Sequence, residues 1–182
     1  MIDHSILYKT DAIESRVESL AKEISDKLNN MGGDVTFVVV LKGGFRFAAD
    51  ILNMLSIDAR RIRIEFMRVE AYASAGVKRD RIRLTTLRDA IEAFTQRNVV
   101  ILDDLFDSGS TLSCLRRYIS SFAPLSIQEA VMLLRHVPDD YAIAKPTWRG
   151  FDLPSGLWVY GYGMDAHHED KRTLSCIAAR RT

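Results

Sequence analysis

Hydrophobic positions recur along this chain with two different periods, and the order of the periods sets the expected fold. From Asp11 to Asn30, Ile13, Val17, Leu20, Ile24 and Leu28 fall three and four residues apart, which places them on one helix face. Asp11 stands where it would cap that helix, with Glu14 three residues on, and Gly32-Gly33 ends it. Val35 to Leu41 is continuously apolar and rich in β-branched residues, the pattern of a central strand covered on both faces. After Gly43-Gly44 a second helix is expected, with Phe45, Ala48, Leu52 and Leu55 along one side. Arg61 to Met67 alternates, Ile62, Ile64 and Phe66 on one face and Arg61, Arg63 and Glu65 on the other, as in a half-buried edge strand.

Farther along, residues 71–83 are small, polar and basic and read as a long mobile loop or ribbon. Asn98 to Leu102 is another buried strand, ending in Asp103-Asp104. A polar turn follows, then a helix with Leu112, Leu115, Ile119 and Phe122 in register. Ile127 to Leu134 is a further strand. From Pro138 onward the chain is turn-rich, with short strands around Trp158 to Tyr162. Strands alternating with helices give an α/β class with a mainly parallel central sheet flanked by helices. Neither a repeat nor a linker interrupts the pattern, so all of 1–182 is expected to form a single domain.

Composition narrows the setting. With 182 residues, 47% hydrophobic and 27% charged, the chain is long enough to bury one sizeable core. A net charge of +1 does not make the surface as a whole a nucleic-acid partner, yet Arg60 to Arg88 holds nine basic residues against three acidic ones. That excess is a candidate anion-facing surface or a solvated strand face. Two cysteines, Cys114 and Cys176, make no metal-spaced pair and suit a reducing compartment. The beginning Met-Ile-Asp-His has no signal pattern and no apolar run approaches about 18 residues, so a membrane is not expected and the expected address is the cytoplasm.

The chemistry concentrates in Val99-Val-Ile-Leu-Asp-Asp-Leu-Phe-Asp-Ser-Gly-Ser-Thr111. Ligands of open α/β sheets bind at the carboxyl ends of strands, and this is such an end. Gly109 lets backbone amides converge, the following helix offers unpaired N–H groups, and Ser108, Ser110 and Thr111 add hydroxyls. Together they make a cradle for a terminal phosphate. Asp103 and Asp104 are suited to accept hydrogen bonds from sugar hydroxyls beside it. Cradle and acids together point to a ribose 5-phosphate. The phosphate loop of nucleotide hydrolases is excluded, since no Gly-x-x-x-x-Gly-Lys-Ser/Thr occurs.

This segment resembles the phosphoribosyl pyrophosphate signature of type I phosphoribosyltransferases, with Ser108 where the family usually has Thr. The resemblance covers nearly the full length and is closest to the hypoxanthine–guanine branch. It implies a core at about 10–137 and a small C-terminal hood at about 138–182, joined by the N-terminal residues. Leu41-Lys42-Gly43 matches the family's pyrophosphate-holding turn, with an implied non-proline cis peptide between Lys42 and Gly43. Asp107 matches a general base that takes a proton from the imidazole side of a purine. Ala144 to Pro154 and Leu157 to Asp165 are similar to the hood. There Lys145 is implied to donate to the base's exocyclic oxygen, Trp158 to stack on the ring, the Val159 carbonyl to accept from the base edge, and Asp165 to lie near metal and pyrophosphate.

Two positions depart from the family: Ala71-Tyr72 stands for Ser-Tyr in the mobile loop, and Lys171, followed by Arg172, stands for an Arg. His167 and His168 are adjacent, a spacing that rarely turns both rings to one ion. The resemblance implies Mg²⁺ as cofactor, held largely by substrate oxygens and water, with Asp165 and also Asp103 and Asp104 as candidate ligands. It implies phosphoribosyl pyrophosphate and a 6-oxopurine as substrates, a dimer or tetramer as assembly, and purine salvage as the role. A xanthine- or pyrimidine-preferring transferase, or a nucleotide-sensing member that binds RNA through the basic stretch, remain the alternatives.

Overall fold

The computed structural model describes residues 5–74, 77–84, 89–135, 145–165 and 171–181, and only the backbone of 70–74 and 77–84. Strand β1 (Ser5–Tyr8) leads into helix α1 (Thr10–Met31), strand β2 (Val35–Leu41) and helix α2 (Phe45–Met54). Strands β3 (Ile62–Ser74) and β4 (Val77–Leu84), the short helix α3 (Ala90–Phe94), β5 (Asn98–Phe106) and helix α4 (Ser110–Ser120) follow. The chain then forms β6 (Ser126–Arg135), β7 (Trp148–Leu153), β8 (Leu157–Tyr160) and β9 (Ile177–Arg181).

The main sheet runs β4-β3-β2-β5-β6-β7, parallel throughout except for β4. α1 and α2 cover one face, over Phe37, Val39, Val100 and Leu102, and α3 and α4 cover the other, over Val38, Ile101 and Val131. The whole stripe predicted for α1 is buried, because a 3.6-residue period keeps it on the sheet side. Its cap differs from expectation. Lys9 is the N-cap, and Asp11 lies inside the first turn, where its carboxylate accepts from the amide of Ala12 at 2.9 Å.

Two more expectations are corrected. In α2 the buried residues are Phe47, Ala48 and Ile51, while Phe45 is 55% exposed. In β3, Ile64 and Phe66 face the α1–α2 side but lie beyond the helices, at 43% and 48% exposure. Met67, on the opposite face, is fully buried. Of the stretch expected as a loop or ribbon, residues 71–74 and 77–83 belong to β3 and β4, which pair antiparallel. β7 extends the main sheet alongside β6, and only β1, β9 and β8 form the separate three-stranded sheet.

One buried carboxylate on α4's face of the sheet gives a pH-dependent signature remote from the strand ends. Glu129 of β6 accepts from Arg116 Nε at 2.8 Å, yet burial outweighs that attraction and holds its carboxyl above the ordinary range. A folded-state pKa raised above the unfolded value, about 4.3, favours the protonated form. The stability it contributes is present below that value and is lost as pH rises through the raised one. Glu129→Gln keeps an acceptor for Arg116 without the charge. Thermal unfolding should therefore show the variant more stable than the parent at pH 7–8, with the gap closing towards pH 4.

Candidate active site

The strand order reverses between β2 and β5. From β2 the chain moves outward to β3 and β4, then returns to β5 on the other side. The crevice at the carboxyl ends of such a pair is where open α/β sheets hold ligands. β2 delivers Leu41-Lys42-Gly43-Gly44 to this point, β5 delivers Asp103 to Thr111, and neighbouring β6 ends there in Arg135.

The first turn is packed against the second. A Cβ on Gly43 would lie 1.8 Å from Asp104 Oδ2, so glycine is required for the Asp104 carboxylate to rest on the turn. The non-proline cis peptide is Leu41–Lys42, one bond earlier than expected. Lys42 is exposed and Gly44 is buried, with its amide donating to the Val40 carbonyl at 3.1 Å.

β5 is longer than predicted and runs through both acids, so strand alternation sends them to opposite faces. Asp104 is half-buried beside Gly43. Asp103 is 4% exposed, and its carboxyl is pushed well above the ordinary range by burial and by the Asp104 charge. The two carboxyls still interact with each other. Asp104 faces the crevice, and Asp103 is an interior group that accepts from the Asp104 amide at 2.9 Å.

Beyond Phe106 the chain turns at Gly109 into α4. Gly109 has φ +74°, in the left-handed region, and α4 starts at Ser110. The first intrahelical bond runs from Ser113 N to Gly109 O at 2.9 Å, so the amides of Ser110 and Thr111 precede it and suit an anion. Ser108 Oγ and Ser110 Oγ lie 2.8 Å apart at the mouth. Asp107 is exposed beside them and forms an ion pair with Arg135 Nε at 2.5 Å.

On the other flank, the hood turn Gly161–Met164 presses on the Lys42–Gly43 turn. A Cβ on Gly163 would lie 2.4 Å from the Gly43 carbonyl oxygen. Tyr162 fixes this turn, donating to Asp50 Oδ2 at 2.6 Å with the Arg46 guanidinium 5.1 Å from its ring centroid. A cavity of about 300 Å³ opens between the turns, lined by Lys42, Phe45, Arg46, Gly163, Arg172 and Thr173. Among the described residues Lys42, Arg46 and Arg172 bring three cations to this lining.

Arg172, rather than Lys171, faces this cavity. Its Nη1 donates to the Gly163 carbonyl and its Nη2 to Asp165 Oδ2, both at 2.7 Å. Lys171 turns away, with Nζ 5.2 Å from the Tyr160 ring centroid.

In the hood sheet Val159 is buried against the main core. Trp158 and Tyr160 share the other face with Ala178, as a stacking shelf requires. Lys145 lies three residues before Trp148, the first residue of β7, which pairs parallel with Ala130 of β6. Parallel pairing of β7 was not legible from its short mixed pattern. Arg135 was missed because, without the register, a single Arg after an apolar strand reads as a surface charge.

The Ala71-Tyr72 backbone lies in β3, and their side chains lie outside the described residues, as do His167 and His168 entirely. Within the basic stretch Arg60 pairs with Asp58, and Arg63 with Glu65 and Glu92. Arg61 donates to the carbonyls of Gly33 and Leu28. These three cations thus have partners close at hand.

For Mg²⁺, no cluster of three or more His, Cys, Asp or Glu side chains occurs among the described residues. Asp104 and Asp165 border the crevice as single carboxylates, which fits an ion that keeps waters and substrate oxygens as ligands. Buried Asp103 does not fit as a ligand.

Residues 3–167 match the phosphoribosyl transferase domain family. Hypoxanthine-guanine phosphoribosyltransferase of Mycobacterium tuberculosis is 32% identical over 178 residues, covering 95% of this chain and 84% of that protein. Hypoxanthine phosphoribosyltransferase of Escherichia coli is 30% identical, over 84% of this chain and 82% of that one. A crystal structure of a hypoxanthine-guanine phosphoribosyltransferase from Bacillus anthracis superposes with TM-score 0.81 at 26% identity, covering 100% and 98% of the two chains. With the phosphate turn, the cationic cavity and the hood disposed around one strand-order reversal, the chain belongs to the phosphoribosyltransferase family and groups with its hypoxanthine–guanine members.

Proposed function

We propose that this chain transfers the 5-phosphoribosyl group of phosphoribosyl pyrophosphate to a 6-oxopurine, hypoxanthine or guanine, giving a nucleoside monophosphate and pyrophosphate in purine salvage. The observation that carries the reading is the crevice itself. A helix-N-terminal phosphate turn and a cationic cavity flank Asp104 and Asp107 where the strand order reverses.

The 5-phosphate would sit on the Ser108–Thr111 turn and the sugar hydroxyls by Asp104. The pyrophosphate would lie between Lys42, Arg46 and Arg172. As the anomeric C–O bond breaks, negative charge grows on the pyrophosphate, and these fixed cations lower the energy of that charge. The base, stacked on Trp158 with its edge read by the Val159 carbonyl, gives its imidazole proton to Asp107 as the new C–N bond forms. Mg²⁺, when bound, supplies further charge neutralisation on the pyrophosphate. The β3–β4 ribbon, with Tyr72 on it, is suited to cover the leaving group and exclude water.

Among the described residues no helix is long and apolar enough to cross a membrane, and we assign the chain to the cytoplasm. We also assign it a self-associated state. Ile64 and Phe66 of β3 and Phe45 of α2 leave large apolar side chains exposed on one side of the sheet, as an isologous interface requires. Phe66→Lys is expected to lower the mass seen by sedimentation to that of one chain, and a parent protein already at that mass would refute the assignment.

Incubation with phosphoribosyl pyrophosphate, Mg²⁺ and each of hypoxanthine, guanine, xanthine, adenine and uracil, with identification of the nucleotide made, tests the activity. Nucleotide from hypoxanthine or guanine is expected. Product from adenine or uracil alone would overturn the choice of base.

A further inference from the structure

We propose that Arg135 is a positioning residue that ties the proton acceptor to the base-holding hood. Its Nε donates to Asp107 Oδ1 at 2.5 Å, and its Nη1 donates to the Leu157 carbonyl at 3.0 Å. Leu157 immediately precedes Trp158 on β8, so one guanidinium joins the end of β5 to the strand that carries the stacking ring. The inference rests on the reading of Asp107 as the base's proton acceptor.

The geometry favours a brace over an ordinary surface ion pair. The Arg135 side chain is 20% exposed against 62% for Asp107, so the fixed partner is the arginine and the held partner is the carboxylate. Arg135 itself is anchored in the main sheet, in register with Leu153 of β7. Its planar fork uses two different nitrogens for two partners, which one ammonium cannot reproduce with the same directions. The bond to Oδ1 leaves Oδ2 to meet the imidazole N–H. The distance between that oxygen and the ring plane is then set by the same group that holds Leu157.

A brace of this kind acts when base and sugar must be aligned, and not when phosphoribosyl pyrophosphate binds. The phosphate turn and the cationic cavity are made by other residues.

The test is a double-mutant cycle. Arg135→Met is expected to lower kcat by about ten- to a hundredfold and to raise KM for the purine, with KM for phosphoribosyl pyrophosphate within about twofold. Arg135→Lys, which keeps the charge, should recover only part of the rate. In an Asp107→Asn background the Arg135→Met change should cost less than about threefold more, because the group it positions no longer accepts a proton. Losses that multiply in the double variant would overturn the role of Arg135 while leaving Asp107 in place. Full restoration by Arg135→Lys would reduce Arg135 to a point charge and overturn the brace. Full activity of Asp107→Asn alone would overturn the base assignment, and the brace with it.

Discussion

Asp107→Asn is expected to lower the rate of nucleotide formation by roughly 10²–10⁴-fold while leaving phosphoribosyl pyrophosphate binding nearly intact. The substitution is close to isosteric, and an amide oxygen can still accept from Arg135 Nε, so the turn keeps its shape. The phosphate cradle depends on Gly109 and on the first amides of α4, none of which is altered. What is lost is an oxygen that can carry a proton away as the ring nitrogen attacks the sugar. Single-turnover assays with hypoxanthine, beside a binding titration of phosphoribosyl pyrophosphate, separate the two effects. An unchanged rate would reduce Asp107 to a turn residue paired with an arginine.

Gly163→Ala is expected to be strongly damaging for a single added methyl group. Gly163 has φ +96°, a region where a side chain is strained whatever the space. Its added Cβ would also lie 2.4 Å from the Gly43 carbonyl, a backbone atom that cannot turn aside. The hood turn and the Lys42–Gly43 turn must then separate, and the hood is fastened by Tyr162 to Asp50 from behind. A loss of about 2–4 kcal/mol in unfolding free energy is expected, with KM for phosphoribosyl pyrophosphate raised at least about tenfold. Denaturant unfolding and a phosphoribosyl pyrophosphate titration check both parts. Gly156→Ala is the control. Gly156 also has positive φ, but no atom lies within 4 Å of its added Cβ, so it should carry the backbone penalty without the change in KM.

Much of the fold was legible because burial leaves a period in the chain. The α1 stripe, the apolar β2 and the strand–acid–turn–helix run at β5 and α4 each needed only neighbours in sequence to be recognised. The phosphate cradle belongs to this class as well, since a Gly-centred turn entering a helix makes its anion site from consecutive residues.

What the sequence did not contain is which segments meet. Apolar alternation in β3 marked two faces, but only the position of α2 on the sheet decided that Ile64 and Phe66 would remain uncovered. Two adjacent acids looked equivalent until β5 proved long enough to run through them, burying Asp103 and leaving Asp104 at the crevice. Arg135 and Arg172 reach the site from strands and turns distant in sequence from the residues they hold. Local pattern therefore determined the elements and the phosphate turn. The register of parallel strands, fixed by burial of both sheet faces, decided which charged groups share the crevice.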